Sequence, residues 1–295
     1  MSSSSRSSRI ALGTAQFGLS YGIANAVGQV GRADVGAILA LASRHAIDTL
    51  DTAVAYGESE QVLGDVGVAG WQVISKLPAL PDHCPDVAGW VHGQVSDILH
   101  RLRIESLHGL LLHRPGQLLG PNGPALDDAL REQRSLGKVQ KIGVSIYEPE
   151  ELDGLFDRMH FDIVQAPFNV MDDRLARSGW MERLTASDCE LHVRSIFLQG
   201  LLLMDNKTRP PQFDRWRTLW DQWQGWLVES GLSPLQACVR HALSMPQIAR
   251  VVVGVDSVAQ LGQILEAASG DLPVLPATLK SQDSDLLNPS RWAKA

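Results

Sequence analysis

The stretch Asp51–Glu60, "DTAVAYGESE", is where the fold becomes readable. It closes the apolar run "TLDTAV" with an acid, crosses a short loop holding Tyr56 and Gly57, and enters a helical segment. A strand that ends on a polar residue and hands over to a helix is one β-then-α unit, the connection that parallel strands need. Working outward, the same unit recurs along nearly the whole chain. Short runs rich in Val, Ile and Leu appear as "RIALGTAQ", "TLDTAV", "QVISKL", "HGLLLHR", "KIGVSI", "DIVQAPFN", "ELHVRSIF" and "ARVVVGV". Segments with apolar residues three and four apart lie between them, such as "GRADVGAILALASRHA" and "DVAGWVHGQVSDILHRLRI". Pro149 suits a first helical turn, and Ser233–Pro234 reads as an N-cap followed by a proline at the first helical position.

Eight such units in about 260 residues predict an α/β protein, a (β/α)8 TIM barrel in a single domain. An open doubly wound sheet would show a G-x-G-x-x-G turn after its first strand, and this sequence has none. The barrel is expected over 9–270. A polar disordered leader is expected over 1–8, and 271–295, rich in Pro, Ser and Asp, as an extension packed on the barrel.

The 295 residues carry a net charge of −7 and are 44% hydrophobic. That charge repels phosphate backbones, so nucleic acid is a poor partner. No signal-peptide segment and no apolar run of about 18 residues occurs, which leaves no expectation of a membrane span. Cys84, Cys189 and Cys238 are scattered and odd in number, which fits a reduced cytoplasmic compartment better than a disulfide framework. The histidines His83, His92, His108 and His113 lack metal-ligand spacing, so no metal is expected and a metal-dependent barrel lyase comes last among the readings.

Chemistry in such a barrel sits at the C-terminal ends of the strands. Strand two ends at Asp51, with Tyr56 in the next loop; strand three ends at Lys76 and strand four at His113. A charge inside a barrel is costly without a partner, and Asp51 with Lys76 would supply each other with one. A phenol has an ordinary pKa of about 10. A nearby ammonium is expected to lower it, while His113 hydrogen-bonds a carbonyl oxygen beside the phenol. That set suits a reaction in which negative charge grows on an oxygen and a proton must follow, as in carbonyl reduction.

With these residues in view, the chain resembles the aldo-keto reductase family from about Ile10 to "LNPSRW". "LGTAQFG" is similar to the family's first strand and turn, "DTAVAYGESE" to its D-T-A-x-x-Y-G-x-S-E signature, and "ISKL" and "LLLHRP" to its lysine and histidine segments. The resemblance implies an NAD(P)-dependent oxidoreductase acting on a small-molecule aldehyde, ketone or sugar. Tyr56 would be the proton donor, Lys76 its modulator, Asp51 the partner of the lysine and His113 the orienter of the carbonyl. It also implies that Gly13, Thr14 and Asp51 border the cofactor, with Ser145 and Gln165 holding the nicotinamide carboxamide and Asn169 shaping the pocket nearby. Ile146 stands where the family has an asparagine. Arg194, next to Ser195, stands where the family often stacks a tyrosine on the nicotinamide.

The loops after strands seven and eight are where a barrel binds phosphate. Gly200 and Gly254 allow close backbone approach there, and Ser257 can cap a helix whose N–H groups face an anion. Asp256 and Gln260 occupy the region where the family places a basic grip on the NADPH 2′-phosphate. NADPH or NADH is therefore expected as cofactor, with relaxed choice or some preference for NADH unless Lys207 or Arg209 supplies the missing charge. Phe17, Tyr21 and Phe168 are expected near the substrate, beside Tyr56 and His113. Trp216, Trp220 and Trp223 at helical spacing read as a packing stripe, with an aromatic wall or a subunit contact as the alternative; Trp180 is open in the same way. A monomer or small homo-oligomer is expected, and a non-catalytic nucleotide-binding regulatory barrel is the alternative function.

Overall fold

A computed structural model describes residues 7–23, 25 and 28–292. Of the leader expected over 1–8, residues 1–6 lie outside the described residues, as do 293–295 of the expected extension.

Eight parallel strands close into one barrel in chain order: β1 Ile10–Gly13, β2 Thr49–Asp51, β3 Gln72–Leu77, β4 Leu107–Leu112, β5 Val139–Ser145, β6 Ile163–Pro167, β7 Glu190–Arg194 and β8 Ile248–Gly254. All eight coincide with the apolar runs. Most of their residues are buried, as parallel strands covered on both faces must be. The outer helices are α1 Arg32–Arg44, α2 Ser59–Val66, α3 Val87–Leu102, α4 Gly123–Ser135, α5 Glu151–Leu155, α6 Trp180–Ala186, α7 Arg217–Ser230, α8 Pro234–Ser244 and α9 Val258–Ala267. In α1 the buried residues are Val35, Ile38, Leu39 and Ala42, one stripe of a 3.6-residue period pressed on the barrel. Ser233 caps α8 in a reciprocal capping box with Gln236. Pro149 does not enter α5; it lies in the turn before it, where the N–H that proline lacks is not needed for a helical bond.

A second apolar cluster lies outside the barrel wall. Trp220, Trp223 and Trp226 of α7 pack there with Phe213, Leu279, Leu286 and Leu287. Each of the three indoles finds a carbonyl: Trp220 on Phe213, Trp223 on Leu202 and Trp226 on Val274. Of the expected stripe, Trp220 and Trp223 are thus packing residues of α7, while Trp216 lies just before that helix, partly buried, with its N–H on Asp283 in the stretch after α9. Lys280 and the Ser281 amide fasten that stretch to the Val170 and Met171 carbonyls. Trp180 is also buried, edge-on to Phe156 with its N–H on Asp153. Among the described residues no helix is long and apolar enough to cross a membrane.

Candidate active site

Strand register brings the polar strand ends together. Asp51 pairs with Ile74, so Lys76, two residues on, faces the same interior one layer higher. Its ammonium donates to Asp51 Oδ1 at 2.7 Å and to the Thr52 carbonyl at 2.9 Å. Across the barrel, Ser145 and Gln165 are register partners on β5 and β6. Gln165 Nε2 donates to Asp51 Oδ2 at 2.6 Å, and Ser145 donates to Gln165 Oε1 at 3.3 Å. Both carboxylate oxygens are therefore engaged in a floor of buried polar groups that satisfy one another.

Tyr56 and His113 stand on this floor. The Lys76 nitrogen lies 5.1 Å from the Tyr56 ring centroid. The Tyr56 and His113 rings meet edge to face, with centroids 6.1 Å apart. The Tyr56 loop is set from below by hydroxyls: Ser59 Oγ bonds the Thr14 carbonyl at 2.8 Å and lies 3.1 Å from Thr52 Oγ1. It is set from the side by two glycines. A Cβ on Gly18 would lie 1.9 Å from the Tyr56 carbonyl oxygen, and one on Gly57, at φ +57, would lie 2.5 Å from the Gly18 carbonyl oxygen. The chain can approach itself this closely only where neither residue has a side chain.

Electrostatics departs from the sequence expectation at the phenol. Burial, then the Asp51 carboxylate, holds Tyr56 above its ordinary value, and Arg194 pulls the other way. The net shift is thus opposite to the lowering expected from the Lys76 ammonium, which is paired with Asp51 at 2.7 Å. Burial also draws the Lys76 amine below the lysine range, with Asp51 opposing. Burial, then Lys76 and Arg194, pushes His113 down to about 4, so its imidazole is neutral at neutral pH.

A cavity of about 590 Å³ opens above the floor. It brings together Gly13, Thr14, Asp51, Tyr56, His113, Tyr21, Arg194, Ser195, Gly200, Gly254, Asp256 and Gln260 from the sequence-derived set. Lys76, Ser145 and Gln165 are buried behind its wall. Ser257 caps α9 by accepting from the Gln260 amide, beside the cavity rather than on its lining. Phe17 and Phe168 correct the expectation of substrate contact: Phe17 is fully buried in the core, and Phe168 is buried and stacked on His241 at 4.9 Å. Asn169 is likewise turned inward, accepting from the Met171 and Asp172 amides.

Sequence reasoning missed Tyr147, which follows Ile146 at the end of β5 and lines the cavity with the Arg194 guanidinium 4.5 Å over its ring. It also missed Gln16, Gln199 and Gln263. The one usable signal was an aromatic residue just past a strand's C-terminal end.

Part of the lining fits a nucleotide by its donor set: the amide side chains of Gln16, Gln199, Gln260 and Gln263 and the backbone at Gly200, with the Gln16 amide lying over Gly254. The Gly200 segment is unusual, with Leu198, Gln199 and Gly200 at φ 48, 55 and 93 in succession. Arg209 cannot serve as a phosphate grip. It is buried, donates to Asn206 and the Met204 carbonyl, and stacks 4.1 Å over Trp220. Lys207 is exposed and off the lining. Among the described residues no group of three His, Cys, Asp or Glu is placed to hold a metal ion.

The family model of the aldo/keto reductases matches residues 9–274. Among solved structures, an aldo-keto reductase from Bacillus halodurans in its holo form aligns with a TM-score of 0.71 at 17% identity, covering 90% of this chain and 88% of its own. The glycerol dehydrogenase from Gluconobacter oxydans aligns with a TM-score of 0.68 at 20% identity, covering 90% of this chain and 88% of its own. At such identities the likeness establishes the barrel. No curated protein matches this chain.

Proposed function

The chain belongs to the aldo/keto reductase family of nicotinamide-dependent oxidoreductases, and from that premise we propose that it interconverts a small carbonyl compound and its alcohol, with Tyr56 as general acid and base. The observation that carries this reading is the placement of Tyr56 and His113 on one cavity wall, directly over the Lys76–Asp51 pair.

A bound reduced nicotinamide nucleotide would supply the hydride. The remaining work falls to the protein. Neutral His113 can donate one ring N–H to the carbonyl oxygen, fixing its direction without adding a formal charge. As that oxygen gains negative charge, the Tyr56 hydroxyl gives it a proton. Lys76 has three N–H groups, two of them committed to Asp51 and Thr52; the third is free to stabilise the phenolate left behind. Asp51 and Gln165 keep the amine in place while this happens. Gln16, Gln199, Gln260, Gly200 and Gly254 would hold the nucleotide.

The test is Tyr56→Phe assayed with a panel of aldehydes and ketones, following nicotinamide absorbance. A loss of at least about 100-fold in kcat/KM is expected, the usual scale of a general acid. Activity equal to wild type would remove the mechanism. A second reading, a nucleotide-binding regulatory barrel, draws on Ile146 and Arg194, which depart from the residues the family places around the nicotinamide; tight nucleotide binding with no turnover of any carbonyl would favour it.

A further inference from the structure

Building on the reductase reading above, we propose that Arg194 selects carbonyl substrates that carry a carboxylate. The chain has three tyrosines, and all of them, Tyr21, Tyr56 and Tyr147, line the one cavity. Arg194 stands among them, and no other Lys or Arg is found among the described residues of the lining.

Of the other carboxylates of the lining, Asp51 meets an opposite charge and Asp256 meets neutral amides. Asp51 is gripped by Lys76 and Gln165. Asp256 lies beyond Gly254, bonded to Gln260 and Asn25. Arg194, the cation of the lining, donates to two neutral oxygens, the Ile146 carbonyl at 2.9 Å and Ser195 Oγ at 3.3 Å, and its flat face lies on Tyr147. Of the other sheltered guanidiniums, Arg174 and Arg101 meet carboxylates, Asp172 at 2.8 Å and Glu60 at 2.7 Å, while Arg209, off the cavity lining, is held by neutral oxygens and the Trp220 ring. A sheltered cation with no counter-ion is costly, and a ligand that brings one removes the cost.

The geometry also suits an anion with two coplanar oxygens. Arg194 has five N–H donors in one plane, and the two bonds and the ring fix that plane while three donors stay uncommitted. Such a fork matches a carboxylate. Arg194 stands at the reacting end: it closes β7 and donates to the carbonyl of Ile146, the residue after Ser145 of the polar floor. The amide-lined end, near Gly254 and Gln260, is left for the nucleotide. A carboxylate on Arg194 would also offset its charge beside the positive ring of an oxidised nicotinamide.

The test compares 2-, 3- and 4-carboxybenzaldehyde with the matching formylbenzamides, which have the same shape and no charge. For wild type, at least one carboxylate is expected to exceed its amide by about tenfold or more in kcat/KM, a difference of about 1.4 kcal/mol. Arg194→Met should bring that ratio near one, and Arg194→Lys should restore part of it. Isothermal titration with the corresponding carboxybenzyl alcohols should show the same loss of affinity in Arg194→Met, independent of turnover. Turnover without carboxylate preference in wild type overturns this proposal and leaves the reductase reading standing. Carboxylate binding lost in Arg194→Met, with no turnover in any protein, does the reverse. A ratio unchanged in Arg194→Met while nucleotide affinity falls assigns the guanidinium to the nucleotide and also overturns it.

Discussion

Gln165 on β6 donates to Asp51 on β2 at 2.6 Å, so the acid is held from the far side of the barrel as well as by its neighbour Lys76. Replacing Gln165 by Glu would set a second carboxylate against the first. One of the two would then have to bind a proton, and the hold on Lys76 would weaken. We expect Gln165→Glu to lower kcat/KM at least about tenfold. Gln165→Met should be milder in activity yet cost about 1–3 kcal/mol of stability, from an acceptor left without its donor. Steady-state kinetics and thermal melts on both variants check this.

Lys76→Met breaks a buried ion pair from one side. The stranded Asp51 should cost about 3–5 kcal/mol, a fall in Tm of roughly 10 °C at this chain length. Asp51→Asn with Lys76→Met should recover part of that loss, because both charges then go together. A double mutant no more stable than Lys76→Met would argue against the pairing as the source.

Much of this site is legible in the sequence. The eight strands stood out because each is a short apolar run, and register placed Asp51, Lys76 and His113 on one rim as their strand-end positions implied. Strand ends were less legible: "RIALGTAQ" stops at Gly13 because the chain turns into the short helix Ala15–Gly18. That turn is what buries Phe17 rather than aiming it at the cavity. Phe168 failed for a similar reason, since the next residues fold back and bond to Asn169. The glutamines of the lining have no periodicity to mark them, and burial of Tyr56 is set by loops meeting from different strands.

Cofactor choice should follow charge. Beside Gly254 the lining offers the Asp256 carboxylate and amide groups, and Arg209 is spent elsewhere. A 2′-phosphate would meet that carboxylate without a compensating cation. NADH is expected to serve at least as well as NADPH, and Asp256→Arg to shift the kcat/KM ratio toward NADPH by about tenfold or more. A wild-type ratio above about 100 for NADPH, roughly 2.7 kcal/mol, would reject this.

Proton supply should give the two directions different pH profiles. Tyr56 is held above its ordinary value, so it stays protonated throughout the neutral range. Carbonyl reduction should therefore hold level across neutrality, while alcohol oxidation keeps climbing past the ordinary phenol value of about 10. A reduction rate that falls with an apparent pKa near 7 would contradict this assignment.

Acid should loosen the fold. His113 is pushed down to about 4 and His241, half-buried and stacked on Phe168, to about 3. Both folded values lie below the unfolded value of about 6.5, so the unfolded chain binds more protons in that interval. Stability present above about pH 6.5 is thus lost as pH falls through the folded values. Melts between pH 7 and 4 should show a falling Tm, and His241→Leu should flatten part of the slope.

The back-to-back glycines 18 and 57 tie the segment after β1 to the one that carries Tyr56. Neither can be exchanged alone. Anyone reshaping the mouth of this enzyme by grafting a longer first loop would displace the phenol as well, so the two segments have to be transplanted as a pair.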